Sequence, residues 1–586
     1  MTTNVPENQL YQFFFEPITE QQNQRVRLGL ALTLLLVSIC SLITYQGILR
    51  GQYQGEIFND DVKVYFWFER FLDSELFPND LIADYFKSVT PVGYNFLFSI
   101  LTNLGVEPLF LMQIIPLFLI FFSSAYIFLL SLEIVPIITF GFLTTILSWM
   151  TFFPSDSLPR SFFLALFPAF LYYLIRGALL PCLGTIFLQG LLYTPFLFIL
   201  IGLLIIRLFK WKNGRLTVSS NRQDYVFCLA GILVAGIGII VYVLSSYRYL
   251  PSISGSEAIK MPEFWYHDGR APYYSDNILD TYIFGWQSGL KPGRLLDSQT
   301  NIGRLSFLLP ILLYLSSKFL LVTKIKKNIV ILFQIIVVSL GLNLLAHLVF
   351  FKLYYPNRYT NLPLRFVIIL ASSLSLLILF EAVWRWLGHF ELFSVINKKM
   401  VAITMTTLLG GYSLLYPLYL STQKLPKVFY HVPSIEMFFT KQPKNIMVAS
   451  LEEVIASNIP TFSKRSVLTA SEFANPYHLK YYTPIKQRTI DLINAHYTDD
   501  LSQLKTFIEQ YKVDFLVVRE ATFSPEFLTK SIWFRQWKDI AKKIKTQQEQ
   551  EKVPSLLQLS ETCAEFQSED WLVVSSKCIL AQKEIQ

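Results

Sequence analysis

The chain has 586 residues, of which 53% are hydrophobic and only 16% are charged, and its mean hydropathy is +0.43. Soluble globular proteins contain fewer apolar and more charged residues, so this composition excludes that class and predicts a polytopic membrane protein. The net charge of +8 is explained by Lys and Arg in cytoplasmic loops, and no basic patch interleaved with aromatic residues indicates nucleic-acid binding.

The N-terminal segment sets the predicted orientation. Residues 1–27 are polar and end in Arg25 and Arg27, which places them in the cytoplasm by the positive-inside rule. The apolar span that follows, 28–48, is too long and too deeply preceded by polar sequence for a cleaved signal peptide, so we interpret it as a retained signal anchor. The next loop, 50–107, is therefore predicted to lie outside.

This first outer loop is unusually acidic. Residues 56–84 of this loop carry Glu56, Asp60, Asp61, Glu69, Asp73, Glu75, Asp80 and Asp84. Asn59 is suited to cap a helix that runs to about Leu72, with Asp60 and Asp61 in its first turn, each at the end of an apolar stripe. The helix N-terminus favours ionised carboxylates, whereas partial burial and adjacency favour retention of one proton, and this competition suits a general base. The alternative is a solvated helix start at the membrane surface.

The next part of the chain contains a row of short apolar segments. Residues 95–106 suit a surface helix, because a full crossing needs about 20 residues. Spans are predicted at 108–130, 133–152 and 161–177, and the polar turn between the last two carries Asp156 and Arg160. The run 179–211 exceeds one crossing, and Pro195 interrupts it, which predicts two short spans.

The number of spans decides the side on which Asp156 and Arg160 lie. Two spans in 179–211 place both residues outside, on the side of Asp60, and leave the following basic cluster inside. Counting 95–106 as a crossing and 179–211 as one span also fits the charges, but moves Asp156 inside. Pro195 gives a physical reason for the break, so we favour the first count.

The C-terminal half combines further spans with a change of composition. A span over 225–246 leads to an outer loop, 247–301, and later spans at 302–322, 328–351, 366–387 and 400–420 bring the total to about eleven. The tail, 421–586, contains β-branched runs such as 515–518 separated by helical patterns, which predicts an extracytoplasmic α/β domain. Whether Cys563 and Cys578 form a disulfide there is left open.

Three features of residues 1–420 resemble the GT-C superfamily of membrane glycosyltransferases, which includes oligosaccharyltransferase catalytic subunits. They are the acidic pair Asp60–Asp61 after the first span, the paired short spans broken at residues 193–195, and the Pro-x-Arg-Tyr segment at 356–359. The stretch RFLDSELFPNDLIADYF, 70–86, is also similar to a bacterial group of GT-C-like proteins.

The resemblance implies a chemistry and a location. It implies an inverting hexosyl- or pentosyltransferase of the bacterial inner membrane that moves a sugar from a polyprenyl-phosphate donor to a lipid, glycan or protein acceptor at the outer face. Asp60 would accept the proton of the acceptor hydroxyl, and Asp61 would orient the acceptor or tune its neighbour. No cofactor is firmly implied, and a divalent metal stays open.

The leaving phosphate needs a cation, and arginine grips phosphate in bidentate fashion. Arg358 is the first candidate, followed by Arg365 and Arg160, although arginines that snorkel to lipid headgroups give the same pattern. Further candidates for lining the site are Asp156, His267 and Tyr359.

Two other functions stay open. The first alternative is a transporter or flippase of a lipid-linked substrate, and the second is a non-catalytic scaffold. Because the charges concentrate in outer loops and no repeat is visible, the enzyme is favoured.

Overall fold

The structure is a computed structural model. It describes the chain apart from residues 1–8, 19–21, 51–56, 58, 152–156, 213, 291–300, 350, 390–403, 405–406, 408–410, 412–413, 423–429, 525, 532, 550–551 and 584–586.

The first two thirds of the chain fold into a bundle of α-helices. The helices are α1 Gln9–Phe15, α2 Asn23–Leu49, α3 Leu81–Val89, α4 Val92–Asn103, α5 Pro108–Ile134, α6 Ile138–Thr151, α7 Phe163–Arg176, α8 Leu179–Leu192, α9 Leu197–Ile206, α10 Arg222–Ser246, α11 Gly255–Ala258, α12 Leu309–Tyr314, α13 Val330–Leu348 and α14 Asn357–His389. Large apolar side chains on α2 and α10 stay exposed, as expected of helices that face lipid.

Five helical segments in the described ranges are long and apolar enough to cross a membrane. They are Asn23–Leu49, Pro108–Ile134, Arg222–Tyr249, Lys327–Leu348 and Asn357–Trp386. Shorter apolar helices over Ile138–Thr151, Leu179–Leu192, Thr194–Ile206 and Gly303–Tyr314 complete the bundle. The composition-based prediction of a helical membrane protein therefore agrees with the architecture.

The helix ends define two opposite ends of the bundle. At the end that we call the basic end, Arg176 and Lys326 lie 3.8 and 3.6 Å from the carboxylate of Glu133, and Arg207 donates a hydrogen bond to the carbonyl of Leu174. The first loop, the break between α8 and α9, and the start of α14 lie at the other end, which we call the cavity end.

The predicted break in the run 179–211 is present. Helix α8 ends at Leu192, a 3₁₀ turn covers Thr194–Phe196, and α9 begins at Leu197. Close to the break α8 packs against α10, since a Cβ atom added to Gly238 would lie only 3.0 Å from the Cα of Gly190. Small residues allow this approach of two helix backbones, which brings Tyr193 and Tyr242 to the same cavity.

Two predicted spans differ from the structure. Residues 302–322 form short pieces rather than one helix: Asn301–Leu308, Leu309–Tyr314, Ser316–Lys318 and Leu320–Lys324. Pro310 accounts for part of the interruption, because it cannot donate the backbone hydrogen bond that a continuous helix needs. Helix α14 begins at Asn357 instead of 366, so the Pro-x-Arg-Tyr segment forms a helix start, not a loop. The predicted span 400–420 lies largely outside the described residues.

The tail forms a mixed five-stranded sheet with flanking helices. Its strands are β3 Met447–Ala449, β4 Ser466–Val467, β5 Phe515–Val518, β6 Ala564–Ser568 and β7 Trp571–Ser575, in the order β4-β3-β5-β7-β6. Strands β4, β3 and β5 are parallel, and β7 is antiparallel to β5 and β6. The helices are α15 Pro433–Thr440, α16 Glu453–Asn458, α17 Leu479–Tyr497, α18 Leu501–Tyr511, α19 Phe527–Lys530, α20 Lys538–Glu549, α21 Ser555–Ser560 and α22 Ser576–Ala581. Cys563 and Cys578 are disulfide-bonded.

The tail packs on the first loop through one continuous hydrophobic core. Tyr85 of α3 stacks on Tyr481 of α17 with ring centroids 3.6 Å apart. Around this core Lys464 pairs with Glu69 at 2.7 Å, and Lys444 pairs with Asp73 at 2.7 Å. Several acids of the first loop therefore hold the tail in place.

The Gly190–Gly238 contact predicts a sharp difference between two neighbouring glycines of α10. Gly238→Leu forces α8 and α10 apart and should lower the free energy of unfolding by roughly 1–3 kcal/mol through overpacking. Gly236→Leu is the matched control, because an added Cβ meets nothing within 4 Å there. Thermal unfolding in detergent measures both. Equal unfolding midpoints for the two variants would contradict this packing.

Candidate functional site

A cavity of about 660 Å³ lies at the cavity end, between the first loop, the helix bundle and the tail. The segment that follows α10 and the turn before α14 complete its wall. The charged residues and the histidine that line it are Asp61, Arg160, Arg270, Lys352, Arg358, Glu472 and His478.

Asp61 is positioned by a capped 3₁₀ helix. This helix spans Asp60–Phe71, and the Asn59 side chain accepts a hydrogen bond from the backbone N–H of Asp61 at 3.1 Å. The capping prediction is therefore confirmed, but the helix has the 3₁₀ repeat, in which residues three apart lie in a row. Asp61 and Val64 share such a row, and both line the cavity together with Tyr65.

Arg160 holds the Asp61 carboxylate from the bundle side. It lies in the 3₁₀ turn Pro159–Phe162, and its Nη2 is 2.7 Å from Oδ2 of Asp61. The turn before α7 thus lies at the same end as the first loop, as our favoured topology predicts. The alternative topology, which placed this turn at the opposite end, disagrees with the contact.

The electrostatic surroundings keep Asp61 ionised. Burial would raise the pKa of this carboxyl, but the charge and hydrogen bond of Arg160, together with the charges of Arg358 and Arg270, hold the pKa below its usual value. About half of the side-chain surface, 49%, is still accessible because it faces the cavity. The cavity therefore presents a carboxylate, not a carboxylic acid, near neutral pH.

Arg358 forms no ion pair with any of the residues that the structure describes, although its charge acts on Asp61 across the cavity. It lies in the first turn of α14 and is half-buried, and its Nε is buried without a hydrogen-bond acceptor in the described part of the chain. Arg270, in contrast, is 2.5 Å from a carboxylate oxygen of Glu472. Among the described lining residues the four Lys and Arg outnumber the two acids, so the cavity favours an anion.

The tail supplies one wall of the cavity through residues 472 and 474–478. His478 belongs to this wall, and its Nδ1 lies 2.9 Å from the hydroxyl of Tyr85. Burial lowers the pKa of His478 to about 4, so the imidazole is neutral at physiological pH. Glu472 and His478 were not predicted as site residues, since only the folding of the tail onto the bundle brings them to the cavity. Arg270, in the segment after α10, was not predicted either and pairs there with Glu472.

Several predicted site residues lie elsewhere. Arg365 is two turns further along α14 than Arg358 and does not line the cavity. Tyr359 is fully buried and donates a hydrogen bond to the carbonyl of Leu353. The side chain of His267 is 72% exposed and lies 3.5 Å from Asp276. Asp156 and the side chain of Asp60 lie outside the described residues.

The described ranges contain no group of three or more His, Cys, Asp or Glu residues arranged to hold a metal ion.

No known protein family matches the chain, and no curated protein matches its sequence. The solved structures that are similar to it include archaeal oligosaccharyltransferases. The apo Archaeoglobus fulgidus enzyme is 12% identical, with 87% of this chain and 72% of that chain covered and a TM-score of 0.47. AglB from Archaeoglobus fulgidus, in complex with an inhibitory peptide and a dolichol-phosphate, is 12% identical, with 90% and 73% covered and a TM-score of 0.45.

The Asp61–Arg160 pair predicts a pH-dependent stability difference. In Arg160→Gln, burial is no longer offset by the nearest cation, so the pKa of Asp61 rises. Because the wild-type pKa is lowered, the pair stabilises the fold above the unfolded-state pKa of about 3.9, and this contribution disappears as the pH falls through the folded-state value.

Thermal unfolding across pH measures the effect. Arg160→Gln should cost about 0.5–1 kcal/mol at pH 7, in the range of partly exposed ion pairs, and the cost should disappear as the pH falls through the lowered pKa of Asp61. Arg248→Gln, an exposed arginine at the same end, is the control. A cost that does not change with pH would contradict the pairing.

Proposed function

We propose that the cavity is the active site of a GT-C-type glycosyltransferase that moves a sugar from a polyprenyl-phosphate donor to an acceptor hydroxyl. The observation that carries the proposal is the presence of two oppositely charged groups in one cavity: the ionised carboxylate of Asp61 and the guanidinium of Arg358, which forms no ion pair with the described residues. Such a pair serves a reaction in which a hydroxyl attacks while a phosphate leaves.

The donor fits the distribution of charge and apolar surface. Arg358 and Lys352 offer cations to a phosphate group, and guanidinium hydrogen bonds to phosphate are among the strong charge-assisted ones. Phe198, Ile239 and Val243 of α9 and α10 give the same cavity an apolar side. That side belongs to helices whose outer faces are apolar, so it suits a polyprenyl tail that enters from the membrane.

The proposed reaction is a single inverting displacement. The acceptor oxygen forms a bond to the anomeric carbon while the bond from that carbon to the phosphate oxygen breaks, and the phosphate leaves with the electron pair. Arg358 stabilises the developing phosphate charge. Asp60 is the proposed acceptor of the hydroxyl proton, and the adjacent Asp61 orients the acceptor or tunes the basicity of its neighbour.

We place this chemistry at the extracytoplasmic face of a bacterial plasma membrane. The basic end carries the Lys and Arg clusters that the positive-inside rule assigns to the cytoplasm. The Cys563–Cys578 disulfide in the tail supports an oxidising compartment on the opposite side. Nucleotide sugars are absent outside the cytoplasm, which is why a donor carried by lipid is needed there.

The tail is proposed to take part in acceptor selection. Its wall adds the Glu472 carboxylate, paired with Arg270, and the neutral imidazole of His478 to the cavity. These polar groups lie on the tail side, so we assign that side to the acceptor, which is a lipid, glycan or protein.

Transfer of labelled sugar from a panel of polyprenyl-phosphate donors tests the proposal. Membranes carrying Asp61→Asn or Arg358→Ala protein should transfer about 100-fold less than wild type, since each removes a charge that acts in the transition state. Arg358→Lys should keep part of the activity. Arg248→Ala is the control, because Arg248 is exposed at the same end and does not line the cavity.

Two results would reject the assignment. Wild-type transfer rates in both Asp61→Asn and Arg358→Ala would exclude the cavity as the active site. Movement of a lipid-linked sugar between leaflets without any transfer would identify the flippase alternative instead.

A further inference from the structure

A small β-hairpin lies between α9 and α10 at the basic end, remote from the cavity. Its strands are β1 Phe209–Lys212 and β2 Arg215–Val218, and they are antiparallel. The hairpin is fixed to the start of α10, because Lys210 Nζ lies 2.7 Å from Oδ2 of Asp224, and the backbone N–H of Ser219 donates to the carbonyl of Leu208 at 2.6 Å.

The hairpin is amphipathic. Phe209 is the register partner of Val218, and Leu216 is two residues from Val218, so these three side chains share one face. They are 44%, 58% and 62% exposed for Phe209, Val218 and Leu216. Lys210, its partner Thr217, and Arg215 share the opposite face.

Exposure of this apolar face to water is unfavourable, so we expect another apolar surface to contact it. A two-stranded hairpin is at best marginally stable in water, and here its apolar face is open. The flanking helices show what surrounds it: Ile205 at the end of α9, and Val226 and Leu229 in the first turns of α10, are also exposed large apolar side chains. The hairpin face therefore adjoins helix surface of the lipid-facing type.

The charges near the hairpin indicate the kind of lipid. Residues 207–224 contain five basic residues, Arg207, Lys210, Lys212, Arg215 and Arg222, and one acid, Asp224. Asp224 already pairs with Lys210, whereas Arg215 is exposed and has no carboxylate partner in the described part of the chain. Basic residues beside a membrane helix attract anionic lipid headgroups.

We propose that this hairpin is a membrane-interface anchor that binds anionic phospholipids in the leaflet at the basic end. Phe209, Leu216 and Val218 insert between lipids at the boundary of headgroups and acyl chains, and Arg215 contacts headgroup phosphates. The anchor fixes the level at which α9 and α10 sit in the membrane. It does not depend on the proposed transferase activity.

The first experiment measures the depth of neighbouring positions. The full-length protein is placed in nanodiscs, and single cysteines at Leu216, Thr217 and Val218 carry a fluorophore that spin-labelled lipids quench. Labelling of wild-type protein, whose cysteines Cys40, Cys182 and Cys228 are buried, gives the background. Probes at 216 and 218 should be quenched at least about twofold more than the probe at 217, because strand neighbours point to opposite faces.

The second experiment measures lipid selectivity with the probe at 218. Spin-labelled phosphatidylglycerol should quench it at least about twofold more than spin-labelled phosphatidylcholine, and Arg215→Gln should bring this ratio close to one. Arg248→Gln, an exposed arginine at the cavity end, should leave the ratio unchanged.

Three outcomes would overturn the proposal. The first is equal quenching at 216, 217 and 218, and the second is a phosphatidylglycerol preference that survives Arg215→Gln. The third is shielding of residue 218 from lipid quenchers in a nanodisc that holds two copies of the chain, which would assign the apolar face to a protein contact.

Discussion

The ion pair between Asp61 and Arg160 is the contact around which the cavity is built. It joins the first loop to the turn before α7, and so fixes two segments that are distant in sequence at one end of the bundle. Arg160 forms an ion pair with Asp61, and Glu472 forms an ion pair with Arg270. Arg358 and Lys352 are then the cations of the cavity wall that form no ion pair within the described part of the chain, and they give the cavity its positive balance.

The acids of the first loop divide into groups with different tasks. Glu69 and Asp73 pair with lysines of the tail and hold it over the cavity. Asp80 caps α3 by accepting hydrogen bonds from two backbone N–H groups. Asp61 alone among the described acids of this loop lines the cavity. The acids of the loop thus have two roles. Glu69 and Asp73 hold the tail against the first loop, and Asp61 lines the cavity.

The features that could be predicted from sequence are those set by local chemistry. Pro195 breaks a helix because it lacks a backbone donor, and Asn59 caps the next residues because its side chain replaces a missing acceptor. The buried strand 515–518 follows from its apolar, β-branched residues. Each of these signals lies within a few residues of the structure it determines.

Features that depend on distant contacts could not be predicted in this way. Glu472 and His478 line the cavity because the tail packs on α3, and nothing in their own neighbourhood indicates that contact. The composition of residues 60–71 suits an α-helix as well as a 3₁₀ helix, so the sequence predicts the helix and its cap but not its repeat. Arg358 was predicted from its motif and lines the cavity, whereas Arg365 lies two turns further along α14 and does not line it.

The role proposed for Arg358, binding of the phosphate of a lipid-linked donor in the cavity, can be tested with a polyprenyl monophosphate that carries no sugar. The full-length protein in nanodiscs is titrated with this lipid and with the matching polyprenyl alcohol. Wild type should bind the polyprenyl monophosphate at least about tenfold more tightly than the polyprenyl alcohol, since a hydrogen bond to a charged group contributes about 1.5–3 kcal/mol. Arg358→Gln should lose most of this preference and bind the alcohol as wild type does. If wild type binds the two lipids equally, or if Arg358→Gln keeps the preference for the phosphate, Arg358 does not bind the donor phosphate.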